Sequence, residues 1–289
     1  MIASLLGVLF DGVTYGSLLF LIGMGLSVTM GLMNFINLAH GAFAMLGGYL
    51  VVVAMNRFGV PFLAALPLAF AAAALAGGLF ERTLYRRLYR ASHLDQVLFS
   101  IGLTFMAMAG ATWLFGPGQQ PVTLPAFLLG QVRVGGLELG AYRLFLLAVV
   151  VVITLSLGWL VARTRFGAQV RAAVDNQQAA SGLGIDVGRV FSLTFALGSG
   201  LAGLGGALGI DVLGLDPTFP LKYMVYFLLV VAVGGAGSIR GSLVAAIVLG
   251  VADVAGKYYV PEVGAFVIYA MMVLLLVAFP AGLYGRRAA

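Results

Sequence analysis

Long apolar runs alternate with short polar interruptions along nearly the whole chain. A helix needs about 20 predominantly apolar residues to cross the hydrocarbon layer of a bilayer. Runs of that kind cover 5–30, 60–80, 96–115, 143–162, 190–212 and 260–279. The run at 41–55 is short and follows a polar break at 31–40, and the run at 223–255 is long but punctured by glycines at 234–241. The pattern predicts an all-α polytopic membrane helix bundle of about eight spans, with discontinuous helices near 31–48 and 234–241. The stretch 116–142, with Pro117, Pro121 and Pro125 among Gly-Pro and Gly-Gly pairs, reads as a long connection. No room remains for a separate soluble domain, so residues 1–289 read as a single transmembrane domain with one sizeable polar segment at 163–189.

Composition strengthens this picture. The chain is 62% hydrophobic and 9% charged, against roughly 25% charged in soluble domains. Cysteine is absent, which excludes disulfides and thiolate metal sites, and no metal site is expected. The net charge of +6 is unevenly placed. Arg82, Arg86, Arg87 and Arg90 form one cluster, Arg163, Arg165, Arg171 and Arg189 a second, and Arg286 and Arg287 close the chain. Cytoplasmic flanks carry such excess, and counting spans puts both large clusters on one side and the connection 116–142 on the other. The N-terminus is expected outside, since no Lys or Arg precedes Arg57. Asp11 stands where a cleavable signal would be basic, so no signal peptide is expected. Nucleic-acid binding would also suit a basic balance, but the apolar content excludes it.

The segment RTRFGAQVRAAVDNQQAASGLG at 163–184 is the largest polar insertion. Its Ala- and Gln-rich part predicts a helix over 168–181, with Gly182 and Gly184 as the stop. It reads either as a handle on which a soluble motor pushes or as a solvated connector. Asn34, Asn37 and His40 recur every three residues and predict one polar helix face next to Gly41. Polar groups at such depth line a path or hold helices together by hydrogen bonds; the residues alone leave both open. Gly234, Gly235, Gly237 and Gly241 around Ser238 and Arg240 form the second break. A glycine-rich backbone can hold an anion, but a tight turn between packed helices is the stronger reading. Gly12 and Gly16, Gly205 and Gly209, and Gly237 and Gly241 have the spacing of close helix approach, and Gly198, Ala202 and Gly206 form a further small-residue stripe. No hydrolase, zinc or phosphate-loop motif occurs, so no enzymatic activity is expected. Asp253, the one acid well inside a late span, reads as a solvated group near a helix end.

Three segments together resemble the permease subunits of branched-chain amino acid ABC importers: INLAHGAFAMLGGY at 36–49, the segment 163–190, and VGGAGSIRGSLVAAIVLG at 233–250. PAGLYG at 280–285 fits the same family. The resemblance implies a multi-pass permease of the bacterial inner membrane, paired with a second related permease, two cytoplasmic ATPases and an extracytoplasmic solute-binding protein. It makes 163–189 the coupling segment, with Asp175, Ala179, Ala180, Gly182 and Gly184 at the ATPase contact and Arg171 beside them. Many related importers begin this element with Glu-Ala-Ala; here Asp175 is the nearest acid. Asn34, Asn37, His40 and Gly41 become candidates for the translocation path. The chain itself is expected to hold no cofactor, with ATP bound by the partners. The same family resemblance extends to importers of urea, short amides and aromatic acids. A stand-alone secondary transporter or channel is the alternative, and it would not need the polar handle.

Overall fold

The computed structural model describes residues 2–33, 35, 37–89, 91–134 and 137–284. Nine apolar helices run back and forth among the described residues: α1 (Ile2–Met33), α2 (His40–Phe58), α3 (Phe62–Thr83), α4 (His93–Phe115), α5 (Ala141–Arg163), α8 (Val187–Leu213), α9 (Phe219–Gly234), α10 (Ile239–Tyr259) and α11 (Gly264–Ala278). Seven are long and apolar enough to cross a membrane; α9 and α11 are shorter. The chain is a multi-pass, all-α membrane protein. Two short helices, α6 (Arg165–Asp175) and α7 (Gln177–Gly182), sit between α5 and α8.

The chain breaks in both expected regions, and each break separates two helices. One lies between Met33 and His40, the other between Gly234 and Ile239. The connection after α4 has some structure of its own. Strands β1 (Gln131–Val134) and β2 (Leu137–Gly140) pair antiparallel with Arg133 opposite Glu138, and those two side chains form an ion pair at 2.7 Å.

The alternation defines two ends. The arginine end carries the α3–α4 turn, α6, α7 and the α9–α10 turn; the hairpin end carries the β-strands, the α2–α3 turn and the α10–α11 turn. Arg86 and Arg171 lie at the first and Gln119 at the second, where Gln120 N–H donates to the Leu215 carbonyl at 2.8 Å.

Helices α1 and α8 form the centre, and α10 and α2 pack tightly on them. Dispersion and close backbone approach hold helices together where lipid offers no hydrophobic gradient. A Cβ on Gly25 of α1 would lie 2.3 Å from the Gly198 carbonyl oxygen of α8. A Cβ on Gly47 of α2 would lie 2.1 Å from that of Gly203, and one on Gly206 2.0 Å from that of Ala44. Gly16 meets Ala246 of α10 as closely, at 2.4 Å. The small-residue stripes on α1 and α8 are therefore contact surfaces. Gly237 is not part of a helical stripe, because it lies in a turn with φ +82°. Helices α4 and α5 stand outside this core and present exposed Trp113 and Trp159.

Candidate functional site

The first break gathers polar groups inside the bundle. Asn37 is 1% exposed and precedes α2, and His40 is its first residue, 3% exposed. The common helix face predicted for them does not form, because Asn37 is non-helical; Asn34 lies outside the described residues. The cause is local. Asn37 Oδ1 accepts from Ala39 N–H at 3.0 Å, and such a side-chain turn competes with helix. Tyr85 Oη donates to the same oxygen at 3.1 Å, and Leu38 N–H donates to Ser100 Oγ at 3.2 Å. His40 Nε2 donates to the Ile22 carbonyl of α1 at 2.9 Å. Gly41 brings α2 against Pro220, whose Cα a Cβ would meet at 3.0 Å. Asn37, Leu38, His40 and Gly41 thus tie the start of α2 to the α3–α4 turn, α4, α1 and α9 in that order, while Asn37 Nδ2 has no hydrogen-bond partner among the described residues. Beside them an apolar cavity of about 280 Å³ lies between α2, α3 and α4, bordered by Ala39, Phe43, Tyr49 and Phe80.

The arginine end holds a polar latch that the sequence pattern conceals. Glu81, the third residue from the end of α3, is 0% exposed. Its carboxylate accepts from Ser192 Oγ of α8 and, at 2.7 Å, from Tyr89 Oη, with Arg86 Nε at 3.5 Å. Arg86 also donates to Ser192 Oγ at 3.0 Å and to the Gly188 carbonyl at 3.2 Å. Arg86 therefore locks α3 to the first turns of α8 rather than standing as a free flank. Tyr89 lies outside the spanning helices; burial, the Glu81 hydrogen bond and the nearby negative charge all push its hydroxyl well above the usual tyrosine range. Only the acid at the end of an apolar run, Glu81 in FERT, hinted at this cluster.

The polar handle is two helices where one was expected over 168–181. Asn176 interrupts it with φ −158° and ψ 106°, and its Oδ1 accepts from Ala179 N–H at 2.9 Å. The residue is thus an N-cap for α7. Thr164 Oγ1 caps α6 in the same way, through Gly167 N–H at 3.1 Å. Arg171 points back and donates to the Val161 carbonyl of α5. Gly184, not Gly182, provides the stop. With Gly184 at φ +81°, Gly184 N–H reaches the Ser181 carbonyl at 3.0 Å, and Ile185 N–H reaches that of Ala180 at 3.1 Å. This is the Schellman pattern. Gly182 is the last residue of α7, and a Cβ there meets nothing. From 174 to 184 only Ala180 is buried; Asp175, Ala179, Gly182 and Gly184 face outward, and Leu183 is 82% exposed.

The glycine turn at 234–241 is a packing device. Gly235 and Gly237 have φ +90° and +82°. A Cβ on Gly241 would lie 1.9 Å from the Gly234 carbonyl oxygen. Ser238 Oγ caps α10 through Gly241 N–H at 3.0 Å, and Gly237 N–H donates to the Ser27 carbonyl at 2.9 Å. The C-terminal stretch lies on this turn, with Leu283 N–H on the Val233 carbonyl at 2.7 Å. Arg240 is exposed.

Near the hairpin end Asp253 is buried, not solvated as its place near a helix end suggested. It is 1% exposed and pairs with Lys257 Nζ at 2.6 Å, one turn along α10. Nothing in the apolar pattern separates this acid from a surface one, but the i,i+4 lysine was a readable partner.

Residues 8–276 match the family described as the branched-chain amino acid transport system / permease component. The high-affinity branched-chain amino acid transport system permease protein LivH of Escherichia coli is 29% identical over 297 residues, covering 96% of this chain and 94% of that protein. The corresponding BraD protein of Pseudomonas aeruginosa is 28% identical over 296 residues, with 96% and 95% covered. A probable LivH permease of Methanocaldococcus jannaschii is 24% identical over 276 residues, with 93% and 87% covered.

Proposed function

This chain belongs to the family of permease components of branched-chain amino acid transport systems, and from that premise we propose that it is the path-forming subunit of an ATP-driven importer of branched-chain amino acids or closely related small solutes. It works with a second related permease, two cytoplasmic ATPases that bind the ATP, and an extracytoplasmic binding protein that selects the solute. The arginine end faces the cytoplasm. The ATPases grip α6 and α7, and the coupling contact comprises Asp175, Ala179, Gly182, Leu183 and Gly184, with Ala180 and Arg171 holding the handle against the bundle. The path runs beside Asn37, His40 and Gly41, where Asn37 Nδ2, without a partner among the described residues, donates to a passing solute.

The observation that carries this reading is the exposure of 174–184 between two long apolar helices. Leu183, at 82% exposure, gives this polar outer face an apolar contact point. Force on the handle passes to α8 through the short link after Gly184, which Asp186 caps onto Arg189 N–H at 2.9 Å, and to α5 through Arg171. The five-protein assembly reconstituted in liposomes tests the coupling. Gly182→Trp puts a bulky ring on the outer surface, where a Cβ meets nothing within 4 Å. The variant should insert and pair normally but lose leucine-stimulated ATP hydrolysis and uptake. Full activity in that variant would remove the handle from the coupling contact.

A further inference from the structure

Asp253 is an ionisable group within a membrane-crossing helix, where such groups are costly and mark functional positions unless fully paired. Its pairing is incomplete. Oδ2 accepts from Lys257 Nζ at 2.6 Å, while Oδ1 is buried with no hydrogen-bond partner among the described residues. The acid side chain is 2% exposed, and the lysine that serves it is 50% exposed. A chain of tyrosines from three other helices starts beside the pair. Lys257 Nζ lies 5.8 Å from the ring centroid of Tyr15 on α1. Tyr15 packs edge-on against Tyr226 of α9 at 6.5 Å, and Tyr226 meets Tyr269 of α11 at 6.4 Å. Tyr269 is 37% exposed, so the group reaches the molecular surface beside Lys257. The chain's other lysine, Lys222, stands 5.3 Å from the ring of Tyr223 in the same cluster.

A purely structural ion pair in a low-dielectric interior would satisfy both carboxylate oxygens. Here the acid is fixed and half-served, and its cation rides on a flexible four-carbon stem that reaches solvent. Aromatic faces around a carboxylate attract a primary ammonium, by cation–π attraction and by charge-assisted hydrogen bonds. We propose that Asp253, with Tyr15 and Tyr226, forms a seat for the primary ammonium group of a zwitterionic amino acid, occupied by Lys257 when no solute is present. The solute's ammonium replaces Nζ on Asp253, and the released lysine pairs with the solute's carboxylate. One internal ion pair becomes two, so no charge is left alone. A solute with only one of the two charges leaves a protein charge uncompensated, which discriminates against simple acids and amines. The amino acid as occupant rests on the proposed function; the ammonium seat rests on the geometry.

The purified full chain carrying Lys257→Ala has the seat vacated. Millimolar n-propylammonium should raise its thermal midpoint by about 2–4 °C, whereas n-propanol and sodium ions should not. The double variant Lys257→Ala with Asp253→Asn should show no rise. Lys257→Met, which keeps the stem and removes the charge, repeats the titration with methylammonium if the alanine variant does not fold. Absence of an ammonium-specific rise would overturn the seat. In the assembled importer Asp253→Asn should lower leucine uptake by about tenfold or more; unchanged uptake would also overturn the proposal as a step in transport. If the wild-type assembly does not take up leucine, the substrate assignment fails, and the ammonium titration still decides the seat.

Discussion

Glu81 shows how much a single buried acid can organise. It accepts hydrogen bonds from Ser192 and Tyr89 and faces Arg86, so three elements meet on one carboxylate. Glu81→Ala would remove the carboxylate acceptor from two hydroxyls, leaving Ser192 only the Gly188 carbonyl at 3.2 Å and Tyr89 only the Met33 sulfur at 3.5 Å, at a cost of about 1–3 kcal/mol. The purified chain should then melt at a lower temperature, and Glu81→Gln should recover part of the loss because its carbonyl still accepts. Tyr89 gives the latch a pH signature. Its hydroxyl pKa is raised in the folded chain above the ordinary value of 10.0. A raised group contributes fully below the unfolded pKa and loses its contribution as pH rises above it, because the unfolded state then binds fewer protons. Stability should therefore be flat up to about pH 10 and fall above it. Tyr89→Phe should make the alkaline limb shallower; an unchanged limb would show that Tyr89 does not contribute to it.

Among the elements, the handle owes its shape to two residues with opposite tasks. Asn176 stops α6 and starts α7 by capping, and Gly184 ends α7 through a left-handed backbone. Gly184→Ala forces a Cβ into that region at about 1–2 kcal/mol, and Asn176→Ala removes a cap worth about 0.5–2 kcal/mol. Gly182→Ala should cost nothing by comparison, since it is helical and opens on empty space. Protease digestion of the handle in detergent separates them: faster cleavage near 176–184 is expected for the first two variants and not for the third. Equal cleavage of all three would mean that the caps do not hold α7. Composition made a helix here legible, but not its interruption, because Asn176 acts through φ and ψ that only the folded chain reveals. The break before α2 was legible for a similar reason and misread in form: a three-residue spacing suggested a helix face, whereas the Asn37 side chain bonds its own backbone and ends the periodicity. The apolar spans were readable because length and hydropathy alone define them. The pairing of Asp253 and the latch at Glu81 were hidden because burial of a lone acid depends on contacts far along the chain.

At the scale of the whole molecule the charges are sorted by end. Among the described residues, eight arginines face four acids at the arginine end, at Glu81, Asp95, Asp175 and Asp186. Five basic residues face six acids at the hairpin end, where Arg133, Arg143 and Lys257 are each ion-paired, to Glu138, Asp11 and Asp253. The bias of cytoplasmic connections towards Lys and Arg is the ground for the proposed orientation, with the arginine end inside. A cysteine-free chain lets single introduced cysteines report on this directly. Arg86 is a poor site because it holds Glu81, and Arg171 because it bonds the Val161 carbonyl. Arg87, Ser181 and Gln119 are exposed and free of such duties. In right-side-out vesicles a membrane-impermeant maleimide should label Gln119→Cys at once, and Arg87→Cys and Ser181→Cys only after permeabilisation. Labelling of positions 119 and 181 from the same face would contradict the alternation of helices, and with it the proposed placement of the handle on the cytoplasmic side. Labelling of 87 and 181 from outside, with 119 protected, would keep the fold and reverse the orientation, leaving the charge bias as the faulty step.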